Sequence, residues 1–331
     1  MLCGKQLILA TKPYAKECVR TSWMHLIATL LLLLFCFTGT LFVSNIWLRI
    51  LSAILAGLIV IRFFIIYHDF EHYTILHKSK IAKVIMTVFG VYMMAAPSIW
   101  KRSHDYHHKH NSKLYTADIG SFPIVTANKF LTMPQNERRL YLAIRHPLTI
   151  LFGYITMFML GMSLRSFLSS PKKHWDSLVA LIMHAIGSIV IFYFFGWIGW
   201  LLCAVTPLFI ACAIGSYLFY AQHNFPGVFF NDKDGWTYEA AALQSSSYMK
   251  MNKVMEWFTG NIGYHHIHHL NARIPFYKLP AVMEAFPELQ QAKTTSLKIK
   301  DIIACFKLKV WDVENKKMIS LKEVYLRVPT V

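Results

Sequence analysis

Residues 46–72 read IWLRILSAILAGLIVIRFFIIYHDFEH. Over Ile46 to Tyr67 the only charged residues are Arg49 and Arg62, and a helix of that length covers the hydrocarbon core that roughly 20 apolar residues span. His68, Asp69, Glu71 and His72 follow at once, where this span leaves the membrane. Upstream, Trp23 to Val43 is a second apolar run, and Ser44 and Asn45 leave room only for a hairpin turn. Downstream, Ser177 to Phe230 contains no Asp, Glu, Lys or Arg. That stretch holds two more spans, about 178–197 and 198–220, with Gly196, Trp197, Gly199 and Trp200 at the turn. The expected fold is an all-α integral membrane protein with four transmembrane helices in two hairpins, which return the chain to its starting side.

The rest of the 331-residue composition agrees. Hydrophobic residues make up 55%, charged residues only 15% and aromatics 15%, and mean hydropathy is +0.40, which excludes a disordered chain and points away from a pair of soluble domains. Lys and Arg outnumber Asp and Glu by 34 to 17, for a net charge of +17. Nucleic-acid binding would interleave bases and aromatics on a solvated surface; here the charges lie outside the apolar runs, as in the basic cytoplasmic loops of a membrane protein. Lys5, Lys12, Lys16 and Arg20 precede the first run, which is too long for a signal core and is read as a retained span. The six cysteines form no CxxC pattern, so neither a disulfide framework nor a thiolate metal site is expected.

Two further segments, Ile81 to Trp100 and Leu148 to Leu168, are apolar enough to cross. Eleven Lys/Arg lie between Lys78 and Arg145, Arg165 falls near the end of the second segment, and Lys172 and Lys173 follow it. A lone crossing by either would translocate a basic loop. Both are therefore expected to be interfacial or re-entrant helices on the cytoplasmic face. Arg62 is close enough to the end of its span to snorkel. The organisation that follows is a cytosolic N-terminal segment 1–21, a membrane-embedded domain 22–293 with a histidine-rich cytosolic cap, and a small cytosolic tail 294–331 with some strand around Val310, Trp311, Val313 and then Ile319 to Leu326.

Sixteen histidines remain to be explained. Three clusters, His68-Asp69-Phe70-Glu71-His72, His104-Asp105-Tyr106-His107-His108 and His265-His266-Ile267-His268-His269, repeat helical spacings. Residues at i, i+3 and i+4 share a helix face, so His68 with His72, His104 with His107 and His108, and His265 with His268 and His269 can each be aimed at one centre. His223, in the run Gln222-His223-Asn224-Phe225, follows the fourth span and falls on the same side of the membrane by parity. Imidazole suits zinc, copper, iron and nickel, but a zinc site takes three or four protein ligands, and nine histidines imply two metals. A site of that kind favours redox-active iron over zinc hydrolysis, with no catalytic residue expected beyond the ligands. Asp69, Glu71 and Asp105 are placed to hold imidazole tautomers from behind. His25, His146, His174 and His184 are isolated and read as structural; His77, His110 and His266 lie some 60° off the proposed faces and are read as non-ligands.

These motifs resemble the membrane-bound fatty acid desaturases. The resemblance runs through most of the chain: HDFEH for the first box, Trp100 to His108 for the second, QHNF for the intervening histidine, and GNIGYHHIHHLNARIPFY for the third box with its flanks. The third box is closest to the acyl-lipid, delta-12 or omega-6-like branch, and Leu308-Lys309-Val310-Trp311-Asp312 is similar to the C-terminal region of bacterial members. Phe70 and Glu71 depart from the small residues usual in an HDxGH first box, which leaves ligand spacing intact and regiochemistry open. The resemblance implies a di-iron site that uses O2 to place a cis double bond in a lipid-linked acyl chain, in a multi-pass protein of the bacterial inner membrane with its site on the cytoplasmic side. With no dinucleotide fingerprint and no cysteine set for a cluster, electrons must come from an external protein, ferredoxin or a cytochrome b5. A related hydroxylase, carotenoid ketolase or alkane monooxygenase would share the boxes. A metal transporter would instead carry its ligands near the bilayer midplane.

Overall fold

The computed structural model describes residue 2 and residues 4–115, 119–232 and 235–326. Cys3 and the end of the tail, 327–331, lie outside them. After a short α1 (Gly4–Thr11), the two longest early helices are α2 (Val19–Phe42) and α3 (Ile46–Glu71), packed side by side. Their turn is held from both ends. The Asn45 side chain accepts from the backbone N–H groups of Trp47 and Leu48, capping α3, while Arg49 Nε donates to the Thr40 carbonyl at 2.7 Å and satisfies the end of α2. At 1.5 Å per residue the 26 residues of α3 run about 39 Å, more than the roughly 30 Å of a hydrocarbon core. The surplus carries His68 and His72 beyond the apolar zone.

The segment expected as one helix over 81–100 is two, α4 (Lys80–Tyr92) and α5 (Pro97–His110), bent by 88°. Pro97 explains the break: its ring cannot follow a helical residue without clashing, and Ala96 is driven to an extended conformation (φ −55°, ψ 142°). Ile81, Val84 and Val88 form an exposed apolar stripe on α4. A connection containing α6 (Ala127–Thr132), α7 (Gln135–Ile144) and α8 (Pro147–Leu151) leads to a wide π-helical stretch, Tyr154–Leu164, and α9 (Arg165–Ser169). The Ser163 hydroxyl donates to the Met94 carbonyl at 2.8 Å, joining this stretch to the break between α4 and α5.

Helical structure then continues from α10 (Trp175–Trp200) through a π turn, Leu201–Val205, into α11 (Thr206–His223). It is interrupted at Gly196, where φ +67° and ψ −175° leave the helical region and enter one that only glycine visits freely. The start of α10 is clasped to α5, since Ser98 Oγ donates to Asp176 Oδ1 at 2.6 Å. Its far end sets Phe195 against Phe42 at the close of α2, with ring centroids 5.5 Å apart. α11 returns along α3, so closely that a Cβ on Gly57 would meet Ile210 Cβ at 2.8 Å. It ends at His223, among the histidines of α5.

The remaining elements form a cap over the ends of α3, α5 and α11. They are α12 (Tyr238–Gln244), β1 (Tyr248–Lys250), α13 (Lys253–Phe258), α14 (His265–Leu270) and α15 (Leu279–Ala285), followed by β2 (Thr294–Ser296), α16 (Ile299–Lys307), β3 (Val310–Asp312), β4 (Lys317–Ile319) and α17 (Leu321–Tyr325). β1 and β2 pair in parallel with Met249 opposite Thr295, and β3 and β4 pair antiparallel with Trp311 opposite Met318. Alternation in the tail ends at Ile319. The stretch Leu321 to Leu326 is helical, because Ser320 and Glu323 form a capping box. Arg62 does not snorkel toward lipid. It is buried, lies 4.1 Å over the Trp257 ring, donates to the Trp257 carbonyl and reaches His25 Nδ1 at 3.1 Å, pinning α3 to the cap.

Candidate metal centre

Four helix ends deliver the histidines. His68 lies in the last turn of α3 and His72 caps its end, His104, His107 and His108 lie in the second half of α5, His223 ends α11, and His265, His268 and His269 lie on α14. The six-residue α14 is buried throughout and is pressed into place by the glycines before it. Gly260 has φ +51°, and a Cβ there would lie 2.8 Å from Ile65 Cγ2; one on Gly263 would lie 2.5 Å from the Met249 carbonyl oxygen. The run GNIG therefore seats the third histidine cluster directly against α3 and β1.

The nine side chains form two groups. His68, His72, His104, His108 and His268 make one, and His107, His223, His265 and His269 the other; within each, the candidate ligand atoms lie within 4.8 Å of one another. Nε2 atoms approach at 2.9 Å for His68 and His104, 3.1 Å for His104 and His108 and 3.0 Å for His108 and His268 in the first group. In the second the separations are 3.1 Å for His107 and His223, 2.8 Å for His223 and His265 and 3.1 Å for His265 and His269.

The clusters do not each aim at one centre. Helix rotation of about 100° per residue sets His104 and His108 on one stripe and turns His107 away; likewise His265 and His269 share a stripe and His268 is turned away. Each of α5 and α14 thus gives an i, i+4 pair to one group and its third histidine to the other.

The residues fit metal ions. Imidazole nitrogens about 2.1 Å from a common ion at right angles to one another are about 3.0 Å apart, the spacing seen here. Buried nitrogens facing each other this closely cannot all be satisfied as donor and acceptor, and among the described residues His72 Nε2 has no hydrogen-bond partner. Burial, reinforced by neighbouring imidazoles, holds His72, His265, His268 and His269 well below the usual histidine range, in the neutral form that a metal requires.

Second nitrogens are held from behind. His68 Nδ1 donates to Asp69 Oδ1 at 3.1 Å while Asp69 Oδ2 accepts from the Phe276 N–H at 2.7 Å. His107 Nδ1 meets Ser121 Oγ at 2.8 Å, and His223 Nδ1 donates to the Ser245 carbonyl at 3.0 Å. Ser121 and Ser245 carry no motif, and nothing in the sequence marks them. Glu71 and Asp105 lie otherwise. Lys101 pairs with Asp105 at 3.1 Å and donates to the Glu71 carbonyl at 2.9 Å, and among the described residues neither carboxylate hydrogen-bonds an imidazole.

The other histidines have separate partners. His266 Nε2 donates to the Leu289 carbonyl at 3.1 Å, and burial lowers its pKa to about 4. His110 donates to the Tyr106 carbonyl, His146 caps α8 through the Leu148 N–H, and His184 meets the Tyr154 hydroxyl. His174 is buried and engaged with Ser98 and Arg102. Beside the second group lies a small cavity of about 40 Å³ bounded by His107, His223, Ser121, Phe122, Phe219 and Arg145.

Two buried polyhistidine groups, each able to hold a metal ion, sit at the ends of apolar helices long enough to cross a membrane. Residues 44–297 match the fatty acid desaturase family model, and the chain belongs to that family. It is 30% identical over 275 residues to the fatty acid desaturase of Bacillus subtilis (strain 168), an alignment covering 83% of this chain and 77% of the relative. Chloroplastic omega-6 fatty acid desaturases of Spinacia oleracea and Arabidopsis thaliana are each 24% identical, over 242 and 237 residues. Those alignments take in 70% of this chain and 52% of each plant protein, so the chain spans about half their length. Membership of this family implies a fatty acyl substrate and O2.

Proposed function

We propose that the protein holds two iron ions, one per histidine group, and inserts a cis double bond into a lipid-linked acyl chain with delta-12 or omega-6-like position. The observation that carries this reading is the grouping of nine Nε2 atoms into two sets at metal-ligand spacing. An unactivated C–H bond lies beyond acid/base side chains, so bound iron supplies the oxidising chemistry: one O2, two electrons and two protons remove two hydrogens from adjacent methylenes and leave two waters. The chain itself orients and encloses. His68, His72, His104, His108 and His268 are the ligands of one ion, and His107, His223, His265 and His269 of the other. Asp69, Ser121 and the Ser245 carbonyl hold the ligand rings by their outer nitrogens. Phe122 and Phe219 give the small cavity beside His107 and His223 an apolar wall that is poor for water.

Four crossings by α2, α3, α10 and α11, with the α4–α5 and 147–169 segments at the interface, put the histidines on the cytoplasmic side of a bacterial inner membrane. Basic loops on that side support the orientation. Electrons come from an acidic carrier of the ferredoxin or cytochrome b5 kind, drawn by the net charge of +17. The plant relatives named omega-6 desaturases support the position of the double bond. Expression in a host with a simple lipid profile, followed by mass-spectrometric location of new double bonds, tests the reading. A new omega-6 or delta-12 double bond is expected; a stable hydroxyl or keto product would place the protein among the related oxygenases instead.

A further inference from the structure

The residue after His223 is bonded to a part of the chain far from the histidine motifs. Asn224, 2% exposed, ends α11. Its Oδ1 accepts from Arg145 Nη2 at 2.8 Å, and its Nδ2 donates to the Cys305 carbonyl at 2.7 Å and the Leu308 carbonyl at 3.3 Å. Arg145 is fully buried and has no carboxylate partner among the described residues. An unpaired buried charge is expensive unless hydrogen bonds replace water. Arg145 meets that need with the Pro123 carbonyl at 2.8 Å, the Leu308 carbonyl at 3.3 Å and the Tyr220 hydroxyl at 3.4 Å, besides Asn224. Lys309 Nζ returns to the Arg145 carbonyl at 2.9 Å, and Tyr141 donates to the Lys309 carbonyl. The segment 305–309 is thereby fastened to the backbone beside one histidine of the four-membered group, and to none of the five-membered group.

Taking the two-metal reading above as given, we propose that Asn224 and Arg145 are positioning residues through which the C-terminal segment 305–309 sets His223, so that the tail controls metal binding at the His107, His223, His265 and His269 group alone. The four-membered group has the fewer ligands, and His223 is its only member from α11, so displacement of this one ring leaves three. The outer partner of the His223 ring is the Ser245 carbonyl; Asn224 acts one step removed, through the backbone it shares with His223, and its loss is expected to cost what losing an outer partner costs, about 10- to 100-fold in affinity.

The test uses the full chain, purified in detergent, stripped of metal and titrated anaerobically with ferrous iron as the only metal. Wild type is expected to take up about two irons. In Asn224→Ala one iron should bind as in wild type and the other about 10- to 100-fold more weakly, with elution volume and helical circular dichroism unchanged. Asn224→Asp, nearly isosteric, keeps the acceptor for Arg145 and loses both donor bonds to the tail; it should weaken the same single iron. His223→Ala should lose that iron, and adding Asn224→Ala to it should cost nothing more, since both act through one ring. Wild-type affinity for both irons in both Asn224 variants, or equal weakening of both irons, would overturn the proposal. Fewer than two irons in wild type would overturn the two-metal reading itself.

Discussion

His107 and His108 are neighbours in sequence and belong to different groups, and the cause is the rotation of one helical residue. Motif spacing marked eight of the histidines that the two groups bring together, and the parity of the spans marked the ninth, His223. Neither could divide them five and four, because the division depends on how α5 and α14 face each other across the ends of α3 and α11. The outer partners were legible only where a charge adjoined the motif: Asp69 bonds His68, whereas Ser121 and the Ser245 carbonyl carry no signal and Lys101 takes Asp105. Alanine at His107 or at His268 should abolish desaturation, with membrane insertion and yield unchanged, as read by lipid analysis beside immunoblotting of membranes. His174→Ala removes hydrogen bonds to Ser98 and Arg102 instead. It should cost about 1 kcal/mol of stability, measured as a lower melting temperature, and leave iron content intact. Loss of iron in that variant would contradict the assignment.

Among the elements, the long apolar helices were readable from uncharged length, and the pair of glycines and tryptophans at 196–200 announced an interruption. The segment of α4 and α5 was expected as interfacial or re-entrant, but the place and angle of its bend were not read, although Pro97 is its visible cause, because an apolar run shows no direction change. α17 was read as strand since its alternation is also compatible with a short helix, and the Ser320 to Glu323 capping box decides between them. Two glycines make this level testable. Gly196→Ala has open space for its Cβ but an unsuitable backbone; it should destabilise by about 1–3 kcal/mol, seen in thermal unfolding in detergent. Gly57→Leu has a suitable backbone and no space, with Ile210 in the way. Overpacking of about 1–3 kcal/mol should separate α3 from α11 and lower iron content together with stability, since those two helices bring His68, His72 and His223.

For the molecule as a whole, burial couples the histidines to pH. His72, His265, His266, His268 and His269 are held below the usual range in the fold, so the unfolded chain takes up protons first as pH falls. Their stabilisation is therefore present above about pH 6.5 and is lost below it. The melting temperature of metal-free protein should fall between pH 7 and pH 5; a flat profile would contradict the burial of these rings. The net charge of +17 should make turnover with an acidic donor slow as salt rises, and a flat salt response would remove electrostatic docking from the account. What joins these properties in the proposed reading is a pair of metals held in one histidine cage. The most direct check is the iron-to-chain ratio of the purified protein, determined by elemental analysis alongside zinc. Two irons per chain are expected, falling on removal of His107 or His268. A single iron, or zinc in its place with full desaturase activity, would contradict the two-iron centre.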